Sequence, residues 1–130
     1  MVLLGGTFDP PHIGHLLAGE CARWQFGARQ VVFVPAGDPY RKAGRPVSPA
    51  ADRLAMTRLA ILHNDAFVVD DREVRRPGPT YTVDTLREYH ASGERDLVLV
   101  LGVDALADMP NWKEPAEMAR LARIAVALKG

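Results

Sequence analysis

The sequence predicts an α/β protein built on one parallel sheet of five strands, in the order 3-2-1-4-5, with helices on both faces. Short apolar runs rich in Val, Leu, Ile and Phe recur along the chain without the alternation of a half-exposed strand, the pattern of strands buried on both faces. Segments with helical spacing lie between the runs, which implies crossovers and parallel pairing. Glycine-containing loops follow the first and fourth runs, which sets the reversal of strand order, and with it a ligand crevice, between those two strands.

The first run is Val2–Leu4, ended by Gly5 and Gly6, and Leu17, Cys21 and Trp24 then recur at helical spacing as an apolar stripe for a first helix. The second run, Val31–Val34, leads into the longest irregular connection, Ala36–Pro46, which carries Arg41, Lys42 and Arg45. Ser48 and Pro49 read as an N-cap and a first helical proline, opening a helix with Leu54, Arg58, Ile61 and Leu62 at helical spacing. After the third run, Phe67–Val69, the residues Arg72, Arg75 and Arg76 read as a solvated turn. Thr82, just past Pro79, is placed to cap a helix that buries Val83, Leu86 and Tyr89. The fourth run is Leu97–Leu101. Pro110 limits any helix beginning near Asp104 to a turn or two. Pro115 opens a last helix through Met118–Leu121, and Ile124–Leu128 is the fifth run.

At 130 residues the chain fits one domain, residues 1–130, with a core that needs no disulfide or metal staple. The 16 basic and 16 acidic side chains cancel, which argues against a nucleic-acid or membrane partner, and the 48% hydrophobic content excludes disorder. Cys21 is the single cysteine and has no internal disulfide partner. No apolar run approaches the roughly 20 residues of a membrane span, and the apolar start stops at Gly5, far short of a signal-peptide core. The expected location is the cytoplasm.

In an open parallel sheet the ligand lies outside the carboxyl ends of the strands. Three loops occupy that position: Gly5 to His15, Pro35 to Pro39, and Gly102 to Asp104. Gly5 and Gly6 carry no Cβ and let the backbone approach a ligand. His12 and His15 straddle the start of the first helix, where unpaired N–H groups and the helix dipole favour an anion. A helix-capping pair and a metal site are the rivals; no nearby Cys or third His completes a metal site, to which Asp9 adds only a weak ligand, and the glycines and the crevice position favour phosphate. His63 and His90 suit helix C-termini and read as structural, and Cys21 reads as a buried small hydrophobe rather than a nucleophile. Trp112 follows a strand in a polar segment and is either a stacking platform or a cover over one end of the core.

The run Gly5-Gly6-Thr7-Phe8-Asp9-Pro10-Pro11-His12-Ile13-Gly14-His15-Leu16 resembles the signature of bacterial nicotinate-nucleotide adenylyltransferases, nucleotidyltransferases with a His-x-Gly-His motif on a Rossmann-like sheet. The likeness continues through Val34-Pro35, Pro39 and Lys42, then Gly78-Pro79-Thr80-Tyr81-Thr82 with Thr85-Leu86, then Gly102-Val103-Asp104, then Trp112. The resemblance implies transfer of AMP from ATP to nicotinate mononucleotide, giving deamido-NAD and pyrophosphate, with Mg2+ bound alongside ATP. It implies that His12, His15 and Thr7 serve the transferred phosphates, and that Gly5, Gly6, Phe8, Gly14, Gly102 and Asp104 bind ATP. It further implies that Lys42 contacts phosphate, while Thr80, Tyr81, Thr82 and Trp112 form the nicotinate pocket, the indole stacked on the pyridine ring.

Two departures accompany the resemblance. Ala36 stands where many members have Asn, which removes one side-chain hydrogen bond or passes it to the backbone. Members also continue past the fifth strand into a Ser-Ser/Thr-x-x-Arg motif at another helix N-terminus. The expectation is therefore a nucleotidyltransferase core without its C-terminal helical part, slow in turnover and poorly covered at its fifth strand. The rival readings are a non-catalytic nucleotide-binding module, an inactive core fragment, and an adenylyltransferase for nicotinamide mononucleotide.

Overall fold

The computed structural model describes residues 1–37 and 47–128. Their elements are β1 (Val2–Gly6), α1 (Ile13–Gln25), β2 (Val31–Pro35), α2 (Ala50–Ala60), β3 (Phe67–Val69), α3 (Arg72–Arg75), α4 (Thr82–Ala91), β4 (Val98–Gly102), α5 (Val103–Asp108), a 3-10 turn (Met109–Asn111), α6 (Pro115–Leu121) and β5 (Arg123–Ala127). The strands form one sheet in the order 3-2-1-4-5, and every pairing is parallel. Leu3 lies beside Val32 on one side and Leu99 on the other, so β1 is central and pairs along both edges.

Successive residues of the central strands point to opposite faces and build two cores. Leu3, Val34, Leu99 and Leu101 meet Val83, Leu86 and Tyr89 of α4 and Met118 and Leu121 of α6. Val2, Leu4, Phe33, Val98 and Val100 meet Ala22 of α1, Ile61 and Phe67 on the other face. Continuous apolar runs were the correct signal, because both faces are covered. Among the described residues no helix is long and apolar enough to cross a membrane.

Helix faces depart from the sequence reading in two places. The α1 stripe is turned outward: Leu17 is 58% and Trp24 75% exposed, and Cys21 is exposed rather than buried. The buried residues of α1 are Gly19 and Ala22. Phe33 and Phe67 fill the space beneath them, with ring atoms 3.1–3.3 Å from where a Gly19 Cβ would stand, so the helix seats its smallest face there. In α2 the buried positions are Ala50, Arg53 and Thr57, with Ile61 just beyond, while Arg58 and Leu62 face solvent. A polar tie rather than an apolar stripe seats this helix, as the site shows.

The caps differ by one residue. Pro49 occupies the N-cap of α2, and Ser48 instead donates its N–H to Asp9 Oδ2 at 2.8 Å. Tyr81 is the N-cap of α4, and Thr82 is its first helical residue. Pro115 opens α6 as expected, and α5 is short, as Pro110 required. Strand ends also move: β1 runs on through Gly5 and Gly6, β4 starts at Val98, and β5 spans Arg123–Ala127, leaving Leu128 77% exposed.

The arginines after β3 are not a solvated turn. Arg72 and Arg75 belong to α3 and Arg76 is its C-cap; Arg72 bonds Asp70 and lies 3.9 Å over the Tyr89 ring, and Arg76 pairs with Glu88 and reaches the Thr85 hydroxyl. Only Arg75 is well exposed, paired with Asp71 one turn away. The network fastens α3 to α4 and carries Glu73 into the interior.

Candidate functional site

The loops after β1 and β4 and the starts of α1 and α5 open into one cavity at the carboxyl edge of the sheet. His12 is the N-cap of α1, in an extended conformation that suits the position. Its Nδ1 accepts the Gly14 N–H at 3.0 Å, and its own N–H donates to His15 Nδ1 at 3.0 Å. The two histidines thus form a reciprocal capping box with imidazoles in place of the usual hydroxyl and carboxylate.

That arrangement fixes the chemistry of both rings. Each Nδ1 is an acceptor, so in the neutral form each proton sits on Nε2, the nitrogen turned away from the backbone. The sequence reading set capping against phosphate binding as alternatives. The geometry removes the conflict, because capping occupies Nδ1 and leaves Nε2–H as a donor. The rings lie 3.9 Å apart, and Phe8 stands edge-on to His15 at 4.8 Å. Burial, followed by the neighbouring His12, pulls the His15 pKa down to about 4, so His15 is neutral at pH 7 in the free protein. The first turn of α1 has no acidic residue to neutralise the positive end of the helix.

Gly5, Gly6, Thr7, Phe8 and Gly14 line the cavity on the β1 side, and Gly102 and Asp104 line it at the start of α5. Phe8 is a non-glycine residue at φ +53° with its ring buried against Phe33. Thr80, Thr82 and Trp112 line the same cavity. Trp112 is half-buried against the core and donates its Nε1–H to Asp108 Oδ2 at 3.0 Å. It therefore covers one end of the core and faces the cavity at once. Tyr81 is not among the lining residues; it is exposed, with the Lys113 ammonium 4.7 Å over its ring. Lys42 lies outside the described residues, as do Arg41 and Arg45. Ala36 donates its N–H to the Gly6 carbonyl and offers its own carbonyl to Arg53, so its backbone groups serve the fold.

Two residues at the site were missed by sequence reasoning. Arg53 is fully buried and donates to the carbonyls of Thr7 at 3.0 Å, Ala36 at 2.7 Å and Ser48 at 2.8 Å. Its place on α2 gave no signal, because an arginine at helical spacing reads as surface. Glu73 is buried on α3 and lines the cavity, with Thr85 donating to its carboxylate at 2.7 Å; burial pushes its pKa up. Gly37 lets the β2 loop pass this point, since a Cβ there would strike the Glu73 carbonyl. Among the described residues no three His, Cys, Asp or Glu side chains gather as a metal site.

Residues 3–129 match the family described as cytidylyltransferase-like. A protein of Thermomicrobium roseum named "Probable nicotinate-nucleotide adenylyltransferase" is 47% identical over 131 residues, covering 98% of this chain and 60% of its own length. A protein of Synechococcus sp. (strain JA-3-3Ab) with the same name is 47% identical over 126 residues, covering 96% and 61%. This chain therefore spans about 60% of the length of the curated relatives it matches. Among solved structures, Plasmodium falciparum nicotinic acid mononucleotide adenylyltransferase complexed with NaAD superposes with a TM-score of 0.82 at 17% identity, over 99% of this chain and 64% of that one, a likeness of fold.

Proposed function

The chain belongs to the cytidylyltransferase-like family, and from that membership we propose that it forms the nucleotidyltransferase core of an enzyme that transfers AMP from ATP to nicotinate mononucleotide. The observation that carries the reading is the histidine capping box, with two outward Nε2–H donors over an unneutralised helix N-terminus. Such a site recognises phosphate. The names of relatives at 47% identity, together with the Gly78–Thr82 block and Trp112, support nicotinate mononucleotide as the acceptor.

In this reading a phosphate oxygen of the mononucleotide forms a bond to the α-phosphorus of ATP as the bond to the β-phosphate bridging oxygen breaks, releasing pyrophosphate. The protein's part is positioning and charge stabilisation. His12 and His15 donate through Nε2 to the phosphates, and Thr7 borders the transferred group. Gly5, Gly6, Phe8 and Gly14 shape the ATP side, with Gly102 and Asp104 toward the adenosine. Thr80, Thr82 and Trp112 form the acceptor wall, Tyr81 steadies it from outside, and Lys42 adds a cation. The described residues gather no metal-ligand cluster of their own, so Mg2+ would come bound to the triphosphate and would supply neutralisation of phosphate charge.

His15→Ala tests the phosphate role. Turnover should fall about 10²–10³-fold, the usual loss on removing one preorganised donor. Thermal unfolding measured alongside should show the protein folded at the assay temperature. Retained turnover, or a loss that tracks unfolding alone, would remove His15 from catalysis.

A further inference from the structure

We propose that Arg53 is the positioning residue of the phosphate site, its buried guanidinium holding the Thr7 carbonyl and so fixing the left-handed Phe8 step beside His15. The inference rests on the nucleotide-binding reading above and extends it to a residue that touches no substrate. Phe8 at φ +53° occupies a left-handed region that is unfavourable for a non-glycine residue, and such backbone persists only where its surroundings over-determine it.

Three restraints surround this step. The Phe8 ring is 1% exposed in the core and meets the His15 ring at 4.8 Å. Asp9, one residue on, accepts the Ser48 N–H at 2.8 Å. Arg53 binds the Thr7 carbonyl at 3.0 Å while also binding Ser48 and Ala36. One rigid, planar group thus joins the end of β1, the end of β2 and the entry to α2. Because C=O and N–H point oppositely across a trans peptide, holding the Thr7 carbonyl also turns the Phe8 N–H away from the guanidinium. A lysine offers a point charge and cannot span three carbonyls in this geometry.

The test compares Arg53→Lys with Leu121→Ala, a core variant on α6 remote from the loop. In Arg53→Lys the His15 imidazole, followed by NMR, should titrate closer to its ordinary 6.5 than the wild-type value of about 4, because a loosened Phe8 step admits water to the ring. ATP should bind about tenfold or more weakly, since small misplacements of a binding group carry large penalties. Leu121→Ala should lose stability yet leave the His15 titration and ATP affinity near wild type. An Arg53→Lys protein with both readings unchanged overturns the proposal, as does Leu121→Ala moving them equally. If wild type itself does not bind ATP, the nucleotide reading fails, while the His15 titration still decides whether Arg53 sets the loop. Should Arg53→Lys not fold, the wild-type Arg53 Nη1 protons, which hold the Thr7 and Ala36 carbonyls, decide: exchange as slow as the β1 amides supports the tie, and faster exchange contradicts it.

Discussion

Gly14 has room only for hydrogen while His12 caps α1: a Cβ would stand 2.8 Å from His12 Cε1 and 2.9 Å from its Nδ1. In Gly14→Ala the ring must swing out. The variant gains about 0.5–1 kcal/mol of helix propensity and loses a cap worth about 1 kcal/mol, so its melting temperature should stay near wild type. ATP affinity should nevertheless fall, because the imidazole loses its orientation; paired melts and ATP titrations read both, and equal affinity would show that the cap does not orient the site. His15 gives a pH signature. Its folded pKa of about 4 lies below the ordinary 6.5, so the unfolded chain takes the proton first. The neutral ring's contribution is complete above pH 6.5 and is lost as pH falls from there through about 4. The stability difference between wild type and His15→Gln should therefore shrink by about 2 kcal/mol across that window, allowing for partial exposure, and a flat difference in denaturant titrations would contradict the depressed pKa. The histidine pair was legible in the sequence because its spacing placed it at a helix start. Arg53 was not, because no local pattern announces which carbonyls will converge on a buried guanidinium from Thr7, Ala36 and Ser48.

Among the elements, α6 tests what fixes the Trp112 segment. Leu121 is buried against the sheet, and Leu121→Ala should cost about 2–4 kcal/mol. Glu114 precedes α6 at φ +49° and forms a bidentate pair with Arg87 at 2.8 and 3.0 Å, both side chains being well exposed. Exposed pairs contribute little, and glycine relieves a left-handed backbone, so Glu114→Gly should melt at or slightly above wild type. A loss as large as that of Leu121→Ala would make the Arg87 pair, not the apolar contact, the anchor. Elements with two buried faces were the easiest to read, since β1, β2 and β4 need apolar residues throughout. The inward face of α4 was equally legible from Val83, Leu86 and Tyr89. The face of α1 was not, because the packing of Phe33 and Phe67 selects Gly19 and Ala22 over the larger stripe, a choice made by the sheet rather than the helix. The four-residue α3 was hidden among arginines whose partners, Asp70, Glu88 and Tyr89, lie partly on α4.

For the whole molecule, strand order decides where chemistry can occur. The reversal between β1 and β4 opens the cavity that brings Gly5 to His15, Gly102 to Asp104, Thr80, Thr82 and Trp112 to one place, although these segments are far apart in sequence. Alternation of apolar runs and helices, with glycine loops after the first and fourth strands, made that order legible before any side chain was located. The place of Glu73 in the cavity wall, and of Arg53 behind it, was illegible, because burial of charged groups depends on contacts across elements. The most direct measurement follows pyrophosphate release from ATP by the protein, with nicotinate mononucleotide, nicotinamide mononucleotide or no acceptor, in wild type and His15→Ala. Nucleotidyl transfer at this site requires release that depends on the mononucleotide, is faster with the nicotinate form, and falls about 10²–10³-fold in the variant. Release that ignores the mononucleotide, or that survives His15→Ala unchanged in a folded protein, would contradict it.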